Sequence, residues 1–199
     1  HKEYRRQRQM CIRDRISSGR SAEDARETME HILEAAFEDG TVEDAAIAQS
    51  LSDAADFWRM REEMSWAQKP EGGSIKHDVS VPVALVPQFL AEAGAAVEAA
   101  MPGARIVSFG HMGDGNIHYN ISQPVGADRE AFLARWGEMN TIVHGIVADL
   151  GGSFSAEHGI GQLKRAELAR TKAGLEMGLM HGIKQVFDPK GIMNPGKLL

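Results

Sequence analysis

Cysteine is almost absent from this 199-residue chain, and the single one, Cys11, rules out both an internal disulfide and a thiolate metal cluster. Basic excess is also missing. The formal net charge is -6, so the chain has no surplus of lysine and arginine with which to neutralise a phosphate backbone. Apolar runs stop well short of the about 18 residues a membrane-crossing helix needs, and charges interrupt them. The first residues hold no apolar core of the kind a secretory leader carries. Internal repeats and low-complexity tracts are likewise absent. What remains is an ordinary globular composition, with 43% hydrophobic and 25% charged residues, in a chain long enough to bury a core. A reducing, cytoplasmic setting is the expectation.

Charge is unevenly distributed. Residues 1–16 carry Lys2, Arg5, Arg6, Arg8, Arg13 and Arg15 against Glu3 and Asp14, and show no apolar period. They read as a disordered or non-native tail, set apart from the fold, and the remainder is correspondingly more acidic.

Helix signals begin at Ser21, where Asp24 completes a capping pattern, and Met29, Ile32, Leu33, Ala36 and Phe37 recur at helical spacing up to Gly40. Thr41 with Asp44 offers a second start, for a helix carrying Ala45, Ala48, Leu51, Ala55, Trp58 and Met64 to about Gln68. A strand is expected over 75–83, a helix over 86–101, and two strands around a turn within 104–120. A long amphipathic helix is expected over 128–150, and helix again over 162–187 with a break near Ala173-Gly174. The Pro/Gly-rich end from Phe187 reads as extended. Few strands among many helices predict an α+β fold, a small antiparallel sheet with helices on one face.

The most informative segment runs from Phe109 to Asn120, FGHMGDGNIHYN. Asp114-Gly115 is a favoured pair for a two-residue hairpin turn. That turn would set His111 opposite His118, and opposed residues share a sheet face, so two imidazoles could grip one metal ion. Asn120 follows His118 at the strand period and shares its face. A longer connection would change the pairing without stopping the two histidines from converging. A third ligand could come from Ser155-Ala-Glu-His-Gly-Ile-Gly161. There Glu157 offers a carboxylate, and His158 is a plausible acid–base group. Glu157 reads equally well as a cap for a helix starting near Gly161. Two histidines, a carboxylate and an open position suit Lewis-acid chemistry. Arg61 could fork onto an acidic substrate but taken alone reads first as a solvated surface group, and Lys76 is no better determined. His77 has no partner by spacing and reads as structural.

Four runs in order, FWRMREEMS with IKHDVSVP, GHMGDGNIHYN, SAEHGIG and FDPKGIMNPGKLL, resemble the C-terminal domain of FAD-linked oxidases. This is the vanillyl-alcohol-oxidase-like group that includes D-2-hydroxyglutarate dehydrogenase, D-lactate dehydrogenase and the glycolate oxidase flavin subunit. The resemblance covers roughly residues 25–199. It implies that His111, His118 and Glu157 bind a divalent metal, for which zinc is the first choice and manganese or iron(II) the alternatives. It also implies that Arg61, Ser65, Lys76 and Asn120 hold substrate, that His158 is the catalytic base, and that Asn194 returns towards the flavin. It further implies a ferredoxin-like cap domain over 17–185, a tail over 186–199 that contacts a flavin domain, and FAD held mainly by an N-terminal domain outside these residues. The chain would then be a fragment, inactive alone. Its complete enzyme would oxidise D-2-hydroxyglutarate, D-lactate or glycolate to the 2-oxo acid, His158 taking the hydroxyl proton as hydride passes to flavin. A metal-dependent hydrolase and a non-catalytic metal-binding subunit are the alternatives.

Overall fold

The computed structural model describes residues 20–111 and 113–199, with the side chains of Met64 and Ser65 outside the described set. The basic stretch 1–16, Cys11 included, also lies outside the described residues. The chain divides into two compact units, one through Ala67 and one from Gln68 to Leu199.

Among its described residues the first unit holds two helices, α1 (Ala22–Glu38) and α2 (Leu51–Ala67). The Ser21 hydroxyl accepts the Asp24 amide at 3.1 Å, as the capping pattern predicts, and Glu23 and Asp24 face the positive end of the helix dipole. Gly40 ends the segment at φ +76. The start expected at Thr41 is not used. The Asp39 carboxylate accepts the Thr41 amide at 2.8 Å and turns the chain instead. Helix α2 begins nine residues later than that capping pattern suggests, at Leu51, because Ser50 and Asp53 make the stronger cap. The Ser50 hydroxyl accepts the Asp53 amide at 3.1 Å while the Asp53 carboxylate accepts the Gln49 amide at 3.0 Å.

The second unit runs β1 (Ser74–Ser80), α3 (Val86–Ala100), β2 (Arg105–His111), β3 (Asn116–Ser122), α4 (Arg129–Ala134), α5 (Trp136–Asp149), α6 (Arg165–Thr171) and α7 (Gly174–Phe187). The three strands form an antiparallel sheet in the order β1-β3-β2. After α5 the chain returns beside β1 through an antiparallel bridge between Ser80 and Ser153. The order β-α-β-β-α followed by this bridge is a ferredoxin-like arrangement whose fourth strand is reduced to one pairing. Gly152 permits that approach, since a Cβ there would sit 2.1 Å from the Ser80 carbonyl oxygen. The fold is therefore α+β, as expected.

One sheet face carries Ile75, Val79, Ile117, Tyr119 and Ile121, packed on Phe89, Ala93 and Val97 of α3 and on Met139, Val143 and Val147 of α5. Phe89 meets Tyr119 edge-on at 5.4 Å between centroids. Each such burial contributes about 1.5–3 kcal/mol. His77 lies within this core, its Nδ1 2.9 Å from the Tyr119 carbonyl oxygen and its ring edge-on to His144. Burial pushes His77 down to about 4, so it is a neutral core histidine.

Two expectations need correction. The helix over 128–150 breaks at Arg135, between α4 and α5. The Arg135 guanidinium donates to the Ala100 carbonyl at the end of α3 and to Glu138, and that tertiary anchor holds the residue out of helical geometry. Residues Val83–Ala100 are long and apolar enough to cross a membrane, contrary to the reading of the apolar runs. The face formed by Phe89, Ala93 and Val97 nevertheless lies against the sheet, as in the core helix of a globular fold. The break near Ala173-Gly174 occurs where expected.

Candidate metal centre

Strand alternation separates the chemistry from the core. With Ile75, His77 and Val79 turned to the helices, Lys76 and Asp78 point to the opposite face. There Asp78 pairs with His118 and Lys76 with Asn120 on β3. Across β3, His118 pairs with Phe109 and His111 with Asn116. This register corrects the two-residue hairpin. The Asp114 carboxylate accepts the Asn116 amide at 2.9 Å, and the Gly115 amide donates to the His111 carbonyl, closing a wider loop. Gly115, at φ +73, turns its own carbonyl to the Val81 amide, a contact outside the hairpin. The slip is even-numbered, so His111 keeps the face of His118 and becomes its diagonal neighbour.

The segment that follows the Ser153 bridge passes over this face. The Ala156 amide donates to the Asp78 carbonyl, and the amides of Glu157 and His158 both donate to Asp78 Oδ2, at 3.0 and 2.8 Å. Held there, the Glu157 carboxylate lies between the two hairpin imidazoles. Its Oε1 is 3.4 Å from His111 Nδ1 and its Oε2 is 3.6 Å from His118 Nε2. Helix α6 begins only at Arg165, so Glu157 is not placed to cap it. Ligand atoms of Asp78, His118 and Glu157 all lie within 4.8 Å of one another. Asp78 is buried, and its Oδ1 has no hydrogen-bond partner among the described residues. Two imidazoles, a carboxylate and a buried carboxylate with a free oxygen form a donor set that suits a divalent cation.

The His158 ring is exposed, with Nδ1 3.4 Å from Asp78 Oδ2 and its centroid 6.3 Å from that of His118. Lys164 secures the same segment from beyond, donating to the Phe154 carbonyl at 3.2 Å and to Ser155 Oγ at 3.0 Å. Burial lowers the Lys164 ammonium from its usual range, opposed by the nearby Asp78 charge. The final residues return here too, since the Leu198 amide donates to the Gly161 carbonyl at 2.8 Å. Asp188 organises that tail by accepting the amides of Ile192 and Met193.

The structure thus brings His111, His118, Glu157 and His158 together, with Asn120 buried and Lys76 exposed on the same sheet face. Asn194 sits in the tail in a left-handed turn (φ 47), its carbonyl accepting the Lys197 amide. Arg61 belongs to the first unit, where its guanidinium lies 4.8 Å over the Trp58 ring. Ser65 follows it on α2, and its side chain lies outside the described residues. Sequence reasoning missed Asp78 and Asn116. The available signal for Asp78 was the strand period from Lys76. Asn116, opposite His111, is buried with both amide atoms unpartnered among the described residues.

Residues 16–198 match the family described as FAD linked oxidases, C-terminal domain. The chain is 41% identical over 166 residues to a D-2-hydroxyglutarate dehydrogenase of Xanthomonas citri pv. viticola, covering 83% of this chain and 35% of that protein. It is 40% identical over 182 residues to one of Stutzerimonas stutzeri, covering 89% of this chain and 37% of the relative. A D-2-hydroxyglutarate–pyruvate transhydrogenase of Saccharomyces cerevisiae is 35% identical over 176 residues, covering 82% of this chain and 34% of that protein. The chain therefore spans about a third of the length of these curated relatives.

Proposed function

This chain belongs to the family of FAD-linked oxidase C-terminal domains, and from that premise we propose that it is the substrate- and metal-binding part of a 2-hydroxy-acid dehydrogenase. The observation that carries the reading is the Glu157 carboxylate lying between the imidazoles of His111 and His118. Relatives named D-2-hydroxyglutarate dehydrogenase make D-2-hydroxyglutarate the first substrate to test, with D-lactate and glycolate next.

In this reading His111, His118 and Glu157 hold a divalent cation, zinc being the first choice. When bound, it supplies Lewis acidity that makes the substrate hydroxyl easier to deprotonate. Lys76 would neutralise substrate carboxylate and Asn120 would orient the substrate by hydrogen bonding, while Arg61 and Ser65 on α2 are assigned to substrate binding by the family resemblance alone. Oxidising a 2-hydroxyl to a 2-oxo group removes one proton and one hydride. His158 takes the proton, its exposed ring standing beside His118. FAD, held mainly by a flavin domain outside these residues, would supply the hydride acceptor when bound, and Asn194 in the tail would contact it.

Dye-linked oxidation of D-2-hydroxyglutarate by the flavin-bearing enzyme tests this directly. Turnover that falls at least about 100-fold in His158→Ala, with metal content retained, supports the assignment. Full turnover in that variant contradicts the role of His158. Turnover of none of the three acids contradicts the substrate class.

A further inference from the structure

The backbone amides of both candidate functional residues on the loop, Glu157 and His158, donate to one side chain, Asp78, which the sequence motifs did not single out. We infer that Asp78 is a positioning residue: its Oδ2 fixes the backbone of Glu157 and His158 and so aims both side chains at the hairpin histidines. This inference rests on the metal-centre reading above.

The geometry supports a pin for three reasons. Asp78 is a buried acid, 5% exposed, on the central part of β1, so its own position is set by the strand and its pairing with β3. One of its oxygens accepts two consecutive loop amides, at 3.0 and 2.8 Å, and the strand carbonyl accepts a third, from Ala156. The residues so held are separated from Asp78 by 79 and 80 positions, so no local preference would otherwise set their distance from the sheet. A carboxylate accepting backbone amides makes hydrogen bonds about twice as strong as neutral ones, enough to fix a glycine-punctuated segment. The other anchors of the loop act elsewhere. Ser80 holds Ser153, and Lys164 holds Phe154 and Ser155. Neither touches Glu157 or His158; within the loop the Ser155 hydroxyl donates to the His158 carbonyl, a contact that does not reach the sheet.

Asp78 lies close enough to His118 and Glu157 that it could instead be a ligand itself, and substitution separates the two roles. Asparagine keeps one carbonyl oxygen that can accept the two amides but loses the charged donor. Alanine loses both. The experiment measures Zn²⁺ affinity of the chain, Asp78→Asn and Asp78→Ala against a competing chromophoric chelator. Amide hydrogen exchange at Glu157 and His158 is followed without metal in all three. The pin predicts that Asp78→Ala loses about 10–100-fold in Zn²⁺ affinity, as loss of an outer-shell partner does. It also predicts that the two amides lose protection while those of β1 and β3 keep theirs. Asp78→Asn should stay within about threefold of the parent affinity and retain the protection. Equal losses of affinity in both variants would overturn the positioning role in favour of direct ligation. Unchanged protection at both amides in Asp78→Ala would overturn it outright. If the parent chain takes up no Zn²⁺, the metal reading fails, and the exchange data still decide whether Asp78 pins the loop.

Discussion

At the scale of single residues, two histidine environments diverge on opposite faces of one sheet. His118 shares its face with Asp78 and His111, while His77, a strand away, is buried in the core against the Tyr119 carbonyl and the His144 ring. Removing His118 should therefore cost metal binding with little cost to folding. For His118→Ala, Zn²⁺ affinity should fall by more than the about 10–100-fold expected from losing an outer-shell contact, with thermal stability of the metal-free protein unchanged. His77 should behave in the converse way. Its folded pKa lies below the unfolded value, so the unfolded chain binds the proton first. The stability it contributes is full above about 6.5 and declines as pH falls towards about 4. Denaturant titrations across that window should show a loss of about 3 kcal/mol from this group, and His77→Gln should flatten the dependence.

At the scale of elements, local signals located strands and helices better than they located the contacts between them. The strands within 74–80, 105–111 and 116–122 and the helix over 86–100 are legible from the sequence pattern, although the first strand stops at Ser80, short of the expected Val83, where Val83–Leu85 form a 3-10 turn. The hairpin register did not follow. Asp114-Gly115 signals a tight turn, but the Gly115 carbonyl is engaged by Val81 from another part of the chain. The even slip spared the histidines, because a shift of two residues leaves every side chain on its face. The break at Arg135 and the late start of α2 have the same origin, a side-chain hydrogen bond that competes with a helical pattern. Asp78 was the hardest residue to read, since its loop partners lie 79 and 80 positions away. The Ser80–Ser153 bridge offers an element-scale test. Gly152→Ala places a Cβ 2.1 Å from the Ser80 carbonyl and must displace the start of the loop. It should lower the melting temperature through a loss of about 1–3 kcal/mol and weaken Zn²⁺ binding as well. Calorimetry and a chelator competition would read the two effects.

At the scale of the whole molecule, the second unit works as a platform with two uses. Its helical face supplies the core, with Phe89, Met139 and Val143 against Tyr119 and Ile121, and that core holds the opposite face rigid. On that outer face the strands contribute His111, His118 and Asp78, and a loop contributes Glu157 and His158. A cation shared by sheet and loop should tie them together. Zinc at about 100 times its dissociation constant should stabilise the unit by about 2.7 kcal/mol, and chelation should remove that increment. The chain spans about a third of the length of its relatives, and the side chains proposed to hold the cation all lie among the described residues.

X-ray absorption at the zinc edge, on the Zn²⁺-loaded chain and on His118→Ala, tests the central claim most directly. The account predicts a first shell at about 2.0–2.1 Å containing two imidazoles and carboxylate oxygen, with one imidazole lost in the variant. A shell without imidazole, or one identical in His118→Ala, would contradict it.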